Sequence, residues 1–224
     1  YQTRAQVGKT KLNFQAGIQE KKFGANGFYA TPAATEQYEE TQASVVSVSA
    51  KRDFEKLSLN SNIYWRRGQD MYEYIRNKPQ IYRNMHIGNN VGAEVNGTYR
   101  WAAGSTGLGA DVRKEFLSSN NLGDRERFIT QLFAEHHFSI LDDKLQVSPG
   151  ISWANYSGGE NYFYPGIDAG FEFNDNHKIF GNVAKVNRVP TFTDLYYTSK
   201  TEAGNPNLKP EHALSAELGY RLQR

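Results

Sequence analysis

The chain has 224 residues, with 26 Lys and Arg against 24 Asp and Glu and no cysteine. That is enough for one large domain or two small ones, and the scattered, near-balanced charge supplies no basic stripe for nucleic acid. The missing thiols exclude a disulfide scaffold and a cysteine metal site. Mean hydropathy is −0.69 although aromatics reach 13%. No stretch approaches the ~18 apolar residues of a membrane helix, so any apolar surface is laid out by alternation, as barrel strands require.

Taken in chain order, the dominant spacing is two, which sends successive side chains to opposite faces of a strand. Leu12, Phe14, Ala16 and Ile18 begin it. Leu57, Leu59, Ile63 and Trp65 then oppose Ser58, Asn60, Asn62 and Arg66. From Val91 to Trp101, Val91, Ala93, Val95, Tyr99 and Trp101 oppose Gly92, Glu94, Asn96, Thr98 and Arg100. Leu108, Ala110 and Val112 oppose Asp111 and Arg113, and Phe128, Leu132, Ala134, Phe138 and Ile140 oppose Gln131, Glu135 and Ser139. Leu145, Val147, Ile151 and Trp153 follow, then Phe163, Ile167, Ala169, Phe171 and Phe173 opposite Asp168 and Glu172. The reading is about eleven strands, many of ~10–14 residues, long enough for a tilted bilayer crossing. Tyr1–Val7, Gln37–Lys51 and Ile179–Asn187 alternate less cleanly. After Pro210, the spacing of Leu214, Leu218 and Leu222 fits a helix as well as a strand.

Short turns are predicted at Gly8–Thr10, Arg52–Lys56, Ala103–Ser105, Leu141–Lys144 and Asn174–His177. Longer links fall between them at Gly24–Glu36, Arg67–His86, Ser118–Arg125, Tyr156–Asn161 and Arg188–His212. Strict alternation of short and long links is the loop sorting of a transmembrane barrel, tight on the periplasmic side and open outside.

Near the end, Arg188, Pro190, Phe192, Leu195 and Tyr196 are followed by Asn205-Pro206-Asn207-Leu208-Lys209-Pro210-Glu211, then Glu217-Leu218-Gly219. This series resembles the barrel of TonB-dependent outer-membrane receptors, and Phe23–Tyr29 with Glu36, Tyr38, Glu39, Glu40 and Thr41 resembles such receptors from Bacteroidetes-like bacteria. The resemblance implies an all-β fold, a transmembrane antiparallel β-barrel of about 22 strands, with residues 1–224 supplying half of it. It also makes the segment after Pro210 a strand. It further implies a plug domain and a TonB contact, neither of which is found in this stretch. The chain is therefore expected to be an interior piece of a longer protein, and Tyr1-Gln2-Thr3-Arg4 shows no export signal.

The best ligand candidates lie in predicted outer loops. Tyr72, Tyr74, Arg76, Tyr82, Arg83 and His86 are one group, and Tyr196 and Tyr197 another. Tyrosine and arginine stack on and pair with an anionic, aromatic chelate, although the same residues also brace long loops. The Asn205–Glu211 segment reads first as a rigid turn, since Pro fixes φ and Asn starts turns. Trp65, Tyr99, Trp101 and Trp153 read as interfacial aromatics at strand ends. His136 and His137 are adjacent on a strand and so face opposite sides, and no histidine falls between Thr191 and Gly204 where haem receptors of this family carry one.

Lumen-facing charges are expected at Arg66, Glu94, Arg100, Asp111, Arg113, Glu115, Asp168, Glu172, Glu217 and Arg221, a mixture suited to hydration. No acid, base and nucleophile can be named together, so no enzyme, cofactor or metal is expected. The reading is an outer-membrane active-transport receptor for a bulky nutrient such as a ferric siderophore. Its partners are outer-membrane lipid, a small metal chelate and TonB through the plug, with no nucleic acid. Cobalamin, haem or oligosaccharide uptake, a passive porin-like barrel and a soluble β-rich carbohydrate-binding module are the alternatives.

Overall fold

The computed structural model describes residues 1–27, 30–157 and 159–223. Its strands are β1 (Gln2–Val7), β2 (Thr10–Gly24), β3 (Tyr38–Asp53), β4 (Leu57–Glu73), β5 (Arg83–Trp101) and β6 (Gly104–Ser119). They continue as β7 (Arg125–Ile140), β8 (Leu145–Tyr156), β9 (Glu160–Asn174) and β10 (His177–Arg188), then a short helix α1 (Phe192–Tyr196) and β11 (Glu211–Leu222). All eleven strands form one antiparallel sheet in chain order, with β1 and β11 as its edges. The sheet does not close on itself.

Register converts the alternation of each strand into two faces. Ile63 stands opposite Val48 and Ala93, and Ala93 opposite Val112. One residue along, Asn62 stands opposite Glu94 and Glu94 opposite Asp111. The apolar face is left bare: Ile63 is 65%, Leu214 75% and Leu218 80% exposed. A soluble domain does not present so large an apolar surface. Among the described residues no second sheet covers it, so lipid is the solvent this face is built for. The apolar trough lined by Leu59, Val95, Leu108, Leu132 and Trp153 lies on this face and is a stretch of lipid-facing wall, not a ligand site.

The belt has a measurable height. From Trp101 to Val91, β5 covers eleven residues, or ten steps. At ~3.3 Å per residue and a tilt of about 40°, that spans roughly 25 Å, the height of the apolar band of outer-membrane barrels. Trp101 marks the inner edge, its Nε1 donating to Thr106 Oγ1 at 3.0 Å with His136 packed against its ring. Trp65, opposite Val91, marks the outer edge, its Nε1 donating to Asn89 Oδ1 at 3.0 Å.

Several expectations need correction. β8, β10 and β11 have 12 residues each, within the expected ~10–14, but most strands are longer, reaching 19 in β5. The link expected over Arg67–His86 shrinks to residues 74–82, because β4 and β5 stay paired well beyond the belt. Trp65 therefore lies in the middle of β4, not at its end. The link at Tyr156–Asn161 shrinks to residues 157–159, no longer than the 141–144 turn on the other side, so loop lengths do not strictly alternate. Above the membrane no lipid demands an apolar side chain at alternate positions, so the pairing continues without the pattern that reveals it. The segment after Pro210 is the strand that the resemblance implied, β11. Phe28 and Tyr29, part of the resembling stretch, lie outside the described residues.

Candidate functional site

Burial is concentrated at the outer rim. Ala25, Tyr38, Met71, Leu122, Ile129 and Ala154 are buried there, together with the polar Gln37, Glu39, Glu73 and Asn84. Within this rim the structure brings together three of the tyrosines singled out above. Tyr72, inward-facing near the end of β4, donates to Gln37 Oε1 at 2.6 Å and meets the Tyr82 ring edge-on at 6.3 Å. Asn84 Nδ2 donates to the Tyr82 hydroxyl at 3.0 Å, and Tyr82 and Tyr197 approach hydroxyl to hydroxyl at 3.4 Å. The neighbouring Tyr82 hydroxyl and burial push the Tyr197 phenol up to about 12, so it is a neutral donor at physiological pH.

The other candidates go elsewhere. Arg76 leaves this cluster and lies 4.4 Å over the Tyr38 ring, while Tyr74 is an exposed residue of the 74–82 link. Arg83 and His86 are residues of β5, not of a loop. His86 Nδ1 is 2.8 Å from Ser119 Oγ, with Asp70 opposite it across the β4–β5 pair. Aspartate, histidine and serine thus align, but Ser119 Oγ also accepts from the Asn121 and Leu122 amides and serves as the hinge of a turn. Its lone pairs are taken, and a serine so held is no nucleophile.

The family-like motif builds the 189–210 strap. Arg188 and Glu211, opposite one another in β10 and β11, pair through two 3.0 Å contacts and tie the base of the strap together. Thr191 and Asp194 form a reciprocal capping box on α1, at 2.9 and 3.1 Å. The Thr191 amide, its hydroxyl and the nearby Arg188 hold the Asp194 carboxyl below the usual carboxylate range. Pro190 is buried. Asn205 starts a turn, its Oδ1 accepting from the Asn207 amide at 2.9 Å, with Leu208 N–H donating to Asn205 O. Gly204 is the tightest point: a Cβ there would sit 2.7 Å from the Leu195 carbonyl carbon and the Tyr196 nitrogen. Pro206, Leu208 and Pro210 complete this return to the sheet, so the motif's first role is to fold the strap.

The strap reaches back over the inward face to β7, the 120–124 turn and Tyr82 of the 74–82 link. Asn121 exchanges two hydrogen bonds with the Thr198 backbone, at 2.7 and 3.0 Å. Arg127 Nη1 donates to Pro190 O at 3.2 Å and its guanidinium lies 4.9 Å over Phe192. Arg125 lies 3.7 Å over the Tyr196 ring. Sequence reasoning missed both arginines. The signal was an Arg-x-Arg pair at a strand start, which places both on one face.

Below the rim the inward wall carries a charge network. Arg113 contacts Asp111 at 3.0 Å, Glu115 at 3.4 Å and Gln131 at 2.9 Å, and Arg127 also pairs with Glu115 at 3.0 Å. Lys178 joins Glu172 at 3.0 Å. The inward charges are thus partly cross-linked along the wall. Arg125 differs: its only hydrogen bond among the described residues goes to the Leu122 carbonyl, leaving no carboxylate to neutralise it. Further along, Gly17, Ala43, Gly68 and Gly88 floor a hollow beside Arg66. Among the described residues no three His, Asp or Glu side chains converge as a metal site. His136 and His137 do face opposite sides, one on Thr106 and the other on Ser148.

Comparison with known proteins places this geometry. Residues 2–224 match the family model of the TonB-dependent receptor-like β-barrel. The vitamin B12 transporter BtuB of Vibrio vulnificus is 24% identical over 189 residues, covering 74% of this chain and 30% of that protein. The siderophore receptor PirA of Pseudomonas aeruginosa superposes with a TM-score of 0.80 at 14% identity, covering 99% of this chain and 42% of that one. The Serratia marcescens hemophore receptor HasR, solved with its hemophore HasA and heme, gives 0.82 at 14% identity over 100% of this chain and 41% of its own. The chain spans well under half the length of these relatives. It belongs to the TonB-dependent receptor β-barrel family, proteins of the Gram-negative outer membrane.

Proposed function

We propose, from that membership, that the chain is part of the wall and outer mouth of an active-transport receptor that takes up a ferric siderophore or similar iron chelate, energised through TonB. The observation that carries the reading is the single sheet one residue thick, bare and apolar on one side and charged on the other. A passive binding module has no use for such a wall.

The iron-chelate reading rests on the mouth. Arg125 over Tyr196, with Tyr72, Tyr82 and Tyr197 beyond it, offers one unneutralised cation, flat rings and the neutral hydroxyl pair of Tyr82 and Tyr197. That set suits an anionic aromatic chelate. It suits haem less, because His86 is already engaged with Ser119. A plug in the lumen would meet the small-residue hollow beside Arg66, and through it TonB would act. The test is growth of a strain lacking the parent gene on single defined iron sources, haem or cobalamin. Rescue by the intact gene on an iron chelate alone supports the reading. Rescue only on cobalamin or haem replaces it.

A further inference from the structure

Three features of the wall lie apart from the ligand cluster at the mouth: the hollow beside Arg66, the Asp70–His86–Ser119 alignment, and the cations on the outward face above the belt. The hollow belongs to the lumen already described, and the Ser119 hydroxyl is consumed in its turn. The outward cations carry an inference that does not depend on which nutrient is transported.

Register puts Arg67 on the outward, lipid-facing side, opposite Ser44 and Asn89 and two residues beyond Trp65 on β4. Two residues of a tilted strand amount to about 5 Å of height. An indole anchored at the edge of the apolar band sits at the base of the headgroup layer, so the Arg67 guanidinium lies at the level of the lipid phosphates. Its two neighbours on this rim are already neutralised. Lys22 contacts Glu20 and Glu40 at 3.2 and 3.6 Å, and Lys114 contacts Glu126 at 2.9 Å. Arg67 is held instead by neutral amides: Nη1 donates to Gln42 Oε1 and Nη2 to Gln69 Oε1, both at 2.8 Å.

Two amide oxygens fix the plane of the guanidinium without cancelling its charge. They use two of its five N–H donors, and the other three have no protein acceptor among the described residues. A planar cation, oriented in advance and missing an anion, is a phosphate receptor. Immediately below it, Val46, Trp65 and Val91 offer an apolar strip along which an acyl chain can lie. We propose that Arg67, oriented by Gln42 and Gln69, binds the phosphate of a lipid headgroup in the outer leaflet, with the acyl chain on the Val46–Trp65–Val91 strip.

The experiment uses the full-length receptor in detergent, delipidated and titrated with a phosphorylated lipid A, its dephosphorylated form, and inorganic phosphate, with bound lipid counted by native mass spectrometry. Arg67→Gln is expected to weaken phosphorylated lipid binding about tenfold, the loss of one charge-assisted contact. Arg67→Lys is expected to keep part of it, and Lys114→Gln to change it less than about twofold, since that ammonium already has a carboxylate. Heat-modifiable migration of each variant confirms a folded barrel. Equal binding by wild type and Arg67→Gln overturns the proposal, as does equal binding of the dephosphorylated lipid. Saturation by inorganic phosphate at the same concentrations as lipid overturns it too, since it shows a bare anion site without use of the strip. None of these outcomes bears on nutrient uptake.

Discussion

The two rims of this wall are built by different physics. On the inner side the strands are joined by links of two to four residues, as at 8–9, 102–103 and 175–176, and little is buried. On the outer side β3, β4 and β5 run on past the lipid belt, and the 189–210 strap reaches back to lock onto β7 and the 120–124 turn. The inner rim is shaped by tight backbone turns and by side chains meeting near neighbours, as Trp101 meets Thr106 and Ser58 meets Asp53. The outer rim is shaped by side chains meeting across as many as 115 residues of sequence, as Tyr82 meets Tyr197. A surface that must present a ligand site needs fixed side chains, and a return turn does not.

This contrast can be broken most severely at Gly204. Gly204→Val drives a side chain into the Leu195–Tyr196 backbone, which cannot swing aside. It should cost the strap about 3 kcal/mol. The 189–210 segment should then become the first site of limited proteolysis on intact cells, while the barrel keeps its heat-modifiable migration. Next is Arg127→Met, which removes the Glu115 pair, the Pro190 carbonyl contact and the cation over Phe192. Both side chains of the pair are about one-fifth exposed, so a loss of about 2 kcal/mol is expected, seen as faster hydrogen exchange in the strap.

The inner rim should respond with the opposite sign. Leu141, Asp142 and Asp143 all hold positive φ, at 57°, 56° and 66°. A leucine in that region costs about 1–2 kcal/mol, and Leu141 is 60% exposed, so little burial offsets it. Leu141→Gly should therefore raise the unfolding midpoint of the refolded receptor, by about 1 kcal/mol in stability.

The smallest effects are in pH. Tyr197→Phe should cost only about 0.5–1 kcal/mol, because 3.4 Å is long for a hydroxyl pair. A phenol raised to about 12 gives its full contribution below the ordinary tyrosine value near 10 and loses it as pH rises through about 12. Asp194 works in the other direction. Its depressed carboxyl stabilises α1 fully above the ordinary carboxylate value and gives that up as pH falls through its own lower one. Protease sensitivity of the strap should thus rise at both extremes of pH, with Tyr197→Phe flattening only the alkaline limb.

The same contrast explains what could be read from the sequence. The strands were legible wherever lipid forces alternation, as from Val91 to Trp101, and the inner turns at Gly8–Thr10, Leu141–Lys144 and Asn174–His177 fell where that alternation breaks. β4 beyond Trp65 was not, because Arg67, Gln69, Met71 and Glu73 share its outward face above the hydrocarbon that would force apolar residues there. Tyr72, Tyr82 and Tyr197 were recognisable as candidates, but their meeting was not, since it depends on where a 22-residue strap lands. Arg188 and Glu211 were visible as a motif, while their partnership had to wait for the β10–β11 register.

The central claim is that β5 has one wet face and one in lipid. These 224 residues have no cysteine, so single cysteines at 93, 94, 95, 96, 97 and 98, in a full-length receptor with any cysteine outside this stretch replaced by serine, can be probed in isolated outer membranes with a small, charged thiol reagent. The account predicts a period of two: Glu94, Asn96 and Thr98 positions react, and Ala93, Val95 and Gly97 positions stay protected until detergent is added. Uniform reactivity, or modification of the odd positions in the intact membrane, would contradict it.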